Sequence, residues 1–207
     1  MLFTITSVIG VQHWFRGGIY ADLTSAPGVH DFYAGGNQAA TVQVVFQIYE
    51  IACALAVPRL RGKFGEMYVH HFTTLLLAYL AIHYDAFLYY GVFFLGVTEV
   101  SSIPLALVDL FKQFKPLAAR YKTTNARARE VFAAFFIVFR TFYWPVVSFY
   151  FWRASLKALQ EGTAKADWVV YTFLTVNVLL TSLQFFWSKL IFESLLKIAR
   201  KVPDKDD

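Results

Sequence analysis

The chain has almost no cysteine: Cys53 is the only one in 207 residues. That excludes an internal disulfide and every multi-cysteine metal site. Charge is scarce as well, at 16% Asp, Glu, Lys and Arg, where a soluble domain carries about 25%. Internal repeats and low-complexity tracts are missing, which argues against a solenoid or a linker-rich assembly. The apolar opening residues have no basic stretch before them and no small-residue cleavage site, so they read poorly as a secretory signal. What fills the space left by charge is hydrocarbon: 57% of residues are hydrophobic and 19% aromatic, gathered into long apolar runs. This composition predicts an all-α, polytopic transmembrane helical bundle. The net charge of +5 does not call for a nucleic-acid partner, because the basic residues sit between apolar runs, where the positive-inside rule accounts for them.

Residues 1–15 are apolar but short of the roughly 20 needed to span a bilayer. A short or tilted span, an interfacial helix and the stub of a longer span all fit. Residues 16–37 carry the turn signals Gly17–Gly18, Pro27–Gly28 and Gly35–Gly36. Five spans then follow, at about 38–57, 66–83, 86–111, 130–152 and 168–192. Pro58 and the basic run Arg59, Arg61 and Lys63 close the first, and a connection of two or three residues at Tyr84–Asp85 joins the second to the third. A second basic connection holds Lys112, Lys115, Arg120, Lys122, Arg127 and Arg129. The organisation expected is a short apolar segment with its loop (1–37), a transmembrane domain (38–200) and a polar tail (201–207).

The two strongly basic connections are separated by two crossings and share a face, so the chain is expected to place them and its C-terminus in the cytosol. Trp152 and Trp168 are expected at the opposite interface, as aromatic belts are. At about 1.5 Å per residue from the cytosolic end of each span, Glu50 and Gln184 lie roughly 10–12 Å deep, His70 about 6 Å, and Glu99 and Arg140 roughly 15–18 Å. Polar side chains restricted to the cytosolic half and the midplane suit a pocket open to the cytosol.

Ionisable groups at such depth are expensive, which makes them functional candidates. His70 and His71 point about 100° apart on a helix and cannot both face one metal ion; one can line a cavity while the other packs or bonds a neighbour. Glu66, His70 and Thr74 share a face, and Glu99 and Ser102 share another. Glu99 and Arg140 match in depth and oppose in charge, which suits either a structural bridge or a site. Pro104 is expected to kink its span, with the freed carbonyl taken by Ser101 or a neighbouring helix. The candidate set is His70, His71 and Glu99 for catalysis, and Glu50, Thr74, Ser102, Arg140 and Gln184 for substrate binding. No metal site is expected.

The order of these features resembles a known family. An apolar span with an acidic residue (QIYEIACAL), a basic turn, a helix opening on His-His and threonines (VHHFTT), and a span with Glu-x-Ser-Ser-x-Pro are similar to the TLC domain. FFIVFRTFYWPV and LQFFWSKLIFESLLK extend the resemblance over roughly residues 40–200. That family includes ceramide synthases, translocating-chain-associating membrane proteins and TLC-domain-containing proteins. The second His-Asp pair of the synthases is missing: the corresponding region reads GVTEVSSIPLAL. The elongase pattern His-x-x-His-His also fails, because its first histidine would fall at Met67. The resemblance is therefore to the TLC-domain-containing branch. It implies the endoplasmic reticulum and a role in membrane lipid homeostasis.

Three classes of function follow. One is a lipid-homeostasis protein that binds acyl lipid in the pocket. Another is an acyl-transfer enzyme with acyl-CoA as co-substrate, a histidine as general base, and Glu99 or Arg140 orienting it. The third is a cargo or translocon-associated adaptor using the basic cytosolic connections, although the terminal PDKDD carries no recognisable sorting signal. Apart from acyl-CoA, no cofactor is expected.

Overall fold

The computed structural model describes residues 2–16, 23, 26–56 and 64–199. Gly17–Gly18, Pro58, the basic run 59–63, the tail 201–207 and the side chain of Glu66 lie outside the described residues. Among the described residues the chain is all helix: α1 (Leu2–Trp14), α2 (Ala34–Ala56), α3 (Phe64–Tyr84), α4 (Leu88–Gln113), α5 (Lys115–Arg120), α6 (Lys122–Gln160) and α7 (Asp167–Ala199).

Within those residues four helices are long and apolar enough to cross a membrane: α2, α4, α6 and α7 over Asp167–Leu196. The expected second span, α3, has the length at 21 residues. It is not among the four, so the count of five spans is not confirmed among the described residues. The thirteen residues of α1 extend about 20 Å, less than the roughly 30 Å of a bilayer's hydrocarbon core. This helix is sunk into the bundle: Thr6, Ser7 and Trp14 are buried, and the Trp14 indole N–H donates to the Tyr143 hydroxyl at 2.9 Å.

The centre of the bundle is α4. Its first ten residues, 88–97, are apolar on every side, as a helix buried all round must be, and Leu88, Val92, Phe93 and Val97 are almost wholly enclosed. Close approach of its neighbours depends on glycine. A side chain on Gly10 of α1 would run into the backbone at Gly96, and one on Gly36 of α2 into the Leu88 carbonyl. Small residues in membrane helices allow such backbone contact. Between α3 and α4 the connection is three residues, two of them left-handed without being glycine, Asp85 (φ 47) and Phe87 (φ 58). The latter conformation costs roughly 1–2 kcal/mol and is held by burial of the ring against Phe151 and Phe173 and by a bond from the Phe87 N–H to the Val29 carbonyl.

Two expectations change in detail. The second basic connection is not a loop: α5 and the first turns of α6 run through it, because its lysines, arginines and alanines are good helix formers. The span holding Glu99 is not one regular helix either. It passes through a π segment (Val92–Gly96) and a 3-10 segment (Val97–Ser101) before resuming as α-helix at Ser102. Pro104 lies in that resumed helix's first turn, where no backbone N–H is required, so the irregularity precedes the proline. A second π segment (Ile137–Tyr143) interrupts α6 around Arg140.

Candidate functional site

The two helix irregularities face each other. In α4 the hydroxyls of Thr98 and Ser101 turn back onto the carbonyls of Phe94 and Thr98, at 2.9 and 2.8 Å, a competition with backbone pairing that favours departures from α-helix. The departure brings Glu99 inward, and Arg140 meets it from the π segment of α6 with its Nη2 3.5 Å from the Glu99 Oε1. The guanidinium also donates from Nε to Ser101 Oγ at 2.9 Å, and from Nη2 to the Thr98 carbonyl at 3.1 Å and Ser102 Oγ at 3.2 Å. The expected proximity of Glu99 and Arg140 is therefore present. Ser102 takes part by holding the arginine.

Around this pair α3, α4, α6 and α7 enclose a cavity. α3 lines it with His70, Thr74, Leu77 and Ala81, and α7 with Phe173, Asn177, Leu180 and Gln184. Both sets have helical spacing and span twelve residues, about 16 Å of helix from first to last. Tyr84 at the end of α3 meets Trp168 at the start of α7, ring to ring at 5.6 Å, so the two stripes run antiparallel. His70 consequently shares a level with Gln184, and Ala81 with Phe173. One end of the cavity holds His70, Thr74, Glu99, Arg140 and Gln184; the other is walled by Phe87, Tyr90, Phe151 and Phe173. About 50 Å³ is open to the centres of water-sized atoms, against roughly 10–15 Å³ for one water. The space is a narrow slot, polar at one end.

The polar end is incomplete as it stands. His70 Nδ1, Thr74 Oγ1, and Gln184 Oε1 and Nε2 are buried with no hydrogen-bond partner. Native structures leave few such groups, and leaving one costs about 1–3 kcal/mol. Four atoms on three side chains, all lining one cavity, mark a place for a polar ligand or for water.

His71 has a different setting. Its Nδ1 meets Gln47 Oε1, Gln47 Nε2 donates to Gln43 Oε1 at 2.8 Å, and Gln43 Nε2 donates to the Leu95 carbonyl at 3.0 Å. Thus His71 faces α2, while His70 lines the cavity, with its ring against Trp187 at 5.8 Å. Glu50, a candidate for binding, is half-buried and does not line the cavity. The buried polar residues of α2 are Gln43 and Gln47, which the sequence reading passed over; their i, i+4 spacing in an apolar run was the available signal. Thr98 and Asn177 also line the cavity and were not singled out. Among the described residues no group of three or more His, Cys, Asp or Glu is placed to hold a metal ion.

No curated protein and no solved structure matches the chain. The family model described as the TLC domain matches residues 4–193, a stretch that takes in the His-His helix, both helix breaks and both walls of the cavity. With that match over most of its length, and with four helices fit to cross a bilayer, the chain is an integral membrane protein belonging to the TLC domain family.

Proposed function

We propose that this protein acts in membrane lipid homeostasis by holding an acyl lipid in the intramembrane slot. The chain lies in the slot's apolar end, and an uncharged polar group lies at its polar end. The single observation that carries this is the cluster of unpartnered atoms on His70, Thr74 and Gln184 at one end of an otherwise apolar cavity. A pocket of few polar groups on apolar walls is the usual form of a small-molecule site. The head group is uncharged because Glu99 and Arg140 already neutralise one another across 3.5 Å. A phosphate or free carboxylate would bring a charge with no counterpart. A hydroxyl, an amide, or an ester or thioester carbonyl suits the donors and acceptors left over.

His70 Nδ1, buried beside that head group and bonded to nothing, also favours a second reading, acyl transfer from acyl-CoA with His70 as general base. The nucleotide of CoA is far larger than a slot of about 50 Å³ and would stay outside, where Lys115, Arg120 and Lys122 are exposed on α5 and α6. That placement agrees with basic connections and a C-terminus in the cytosol, and with residence in the endoplasmic reticulum, as the family suggests. Cysteine labelling in a Cys53→Ser background is expected to find position 122 cytosolic and positions 85 and 161 lumenal; positions 122 and 85 on one face would refute that orientation.

The test is native mass spectrometry of the purified protein. Wild type is expected to retain acyl lipid, and His70→Ala and Gln184→Leu to lose it while remaining folded. Empty wild type, or folded variants that keep the same lipid, would end this reading and favour an adaptor. Release of CoA from acyl-CoA by wild type but not by His70→Ala would make the protein an enzyme.

A further inference from the structure

We infer that Gln43 and Gln47 are positioning residues that hold His71 as its Nδ1–H tautomer, and that the Leu95 carbonyl sets the direction of the whole chain of bonds. Side-chain amides can be turned end for end and imidazole has two neutral forms, so such a chain could in principle run either way. One end of this chain has no such freedom, because a backbone carbonyl can only accept. With the Leu95 carbonyl 3.0 Å away, Gln43 must present its NH₂ there. Its Oε1 then faces Gln47, which must answer with its own NH₂, at 2.8 Å. Gln47 is left with only an oxygen to offer His71, so His71 Nδ1 carries the proton.

The opposite tautomer propagates a fault. An unprotonated Nδ1 would face Gln47 Oε1. Turning Gln47 would set its oxygen against that of Gln43, and turning Gln43 would set an oxygen against the Leu95 carbonyl. Gln43 and Gln47 are only 1% and 2% exposed, so no solvent is at hand to absorb the mismatch, and a facing pair of acceptors costs at least the roughly 1–3 kcal/mol of one unsatisfied group. The nitrogen that is bonded decides the state of the other. His71 Nε2 is thereby kept as a lone pair, ready to accept a proton or a hydrogen bond. The adjacent rings, with centroids 5.6 Å apart, are thus prepared differently: His71 is fixed through α2 to the irregular part of α4, and His70 has its Nδ1 uncommitted beside the cavity.

This inference does not depend on what fills the slot. It is tested on the full chain in lipid nanodiscs with ¹⁵N-labelled histidine, the His71 signals being identified with His71→Gln. Spectra are recorded at about pH 8, above the ordinary histidine pKa of about 6.5, so that the neutral form is observed. Wild-type His71 is expected to show a single neutral population protonated at Nδ1. Gln47→Leu and Gln43→Leu are each expected to convert it to the Nε2–H form or to a mixture. Gln43→Leu is decisive because that residue bonds Gln47 and the Leu95 carbonyl rather than the ring, and a role in packing alone would leave the tautomer unmoved. A wild-type His71 protonated at Nε2 overturns the inference even if neither variant folds, and so does a Gln43→Leu protein that keeps the single Nδ1–H population.

Discussion

α7 presents nearly the same side chains to two neighbours, with opposite results. Toward α6 it forms a closed seam. The Asn177 amide accepts from the Trp152 indole at 3.0 Å and donates to Ser148 at 3.2 Å, Thr181 accepts from the Trp144 indole at 2.9 Å, and the Ser188 and Thr141 hydroxyls lie 2.8 Å apart. Trp152 turns its N–H into this seam, while Trp168 is exposed. Toward α3 the same helix offers Gln184, with both amide atoms unpartnered and with Thr74 and His70 Nδ1 equally so nearby. Amide for amide and hydroxyl for hydroxyl, the two faces are chemically alike. Polar residues inside a membrane therefore do not announce a site by their type. Completion of the pairs tells a group that glues helices from one that awaits a ligand.

Five substitutions would break or sharpen that contrast. The largest effect belongs to the ion pair at the slot's polar end. Arg140→Met or Glu99→Gln alone strands a buried charge and should cost about 3–5 kcal/mol, read as loss of monodisperse protein or a steep fall in thermal midpoint. The double variant Glu99→Gln/Arg140→Met should recover part of the loss. A single variant as stable as wild type would mean that the pair is not closed as the structure has it.

Next comes the seam: Asn177→Leu orphans the Trp152 indole and should cost about 1–2 kcal/mol. On the cavity side Gln184→Leu should do the reverse. Removing atoms that have no partner within the chain should leave the stability of lipid-free protein unchanged or raise it by up to about 1 kcal/mol, while lipid retained by the undelipidated protein falls. If Gln184→Leu destabilised the protein as much as Asn177→Leu, the slot would be one more packing seam and the ligand reading would lose its support. The smallest effect is expected at the exposed pair between Lys165 and Asp85, 3.2 Å apart. Lys165→Ala should stay within about 0.5 kcal/mol in the same melting assay.

Parts of this arrangement were legible in the chain itself. Opposite charges at matched depth pointed to the pairing of Glu99 with Arg140, and helix geometry alone separated His70 from His71. Pro104 pointed to a break in α4 but not to its place, since the irregular stretch precedes the proline, where Thr98 and Ser101 bond back to carbonyls and Gly96 lies against Gly10 from a remote part of the chain. Gln43 and Gln47 were passed over for a related reason, since the chain they form ends on a backbone carbonyl 52 residues from Gln43, and backbone atoms leave no trace in composition. Charge misled once, making the stretch after Lys112 look like loop when its residues favour helix. Glu50 was chosen for depth, and depth says nothing about which side of a helix faces inward.

The crossing of α1 over α4 has a consequence for how this protein can change over generations. Neither Gly10 nor Gly96 has room for even a methyl group, and each is blocked by the other's backbone. In heredity the two positions behave as a single locus. A first substitution at either must push a whole helix aside, and once the helix has moved, a second at the other adds little further harm, as expected of residues in direct contact. Such a trap is easy to enter and hard to leave by single steps, because restoring one glycine does not restore the fit.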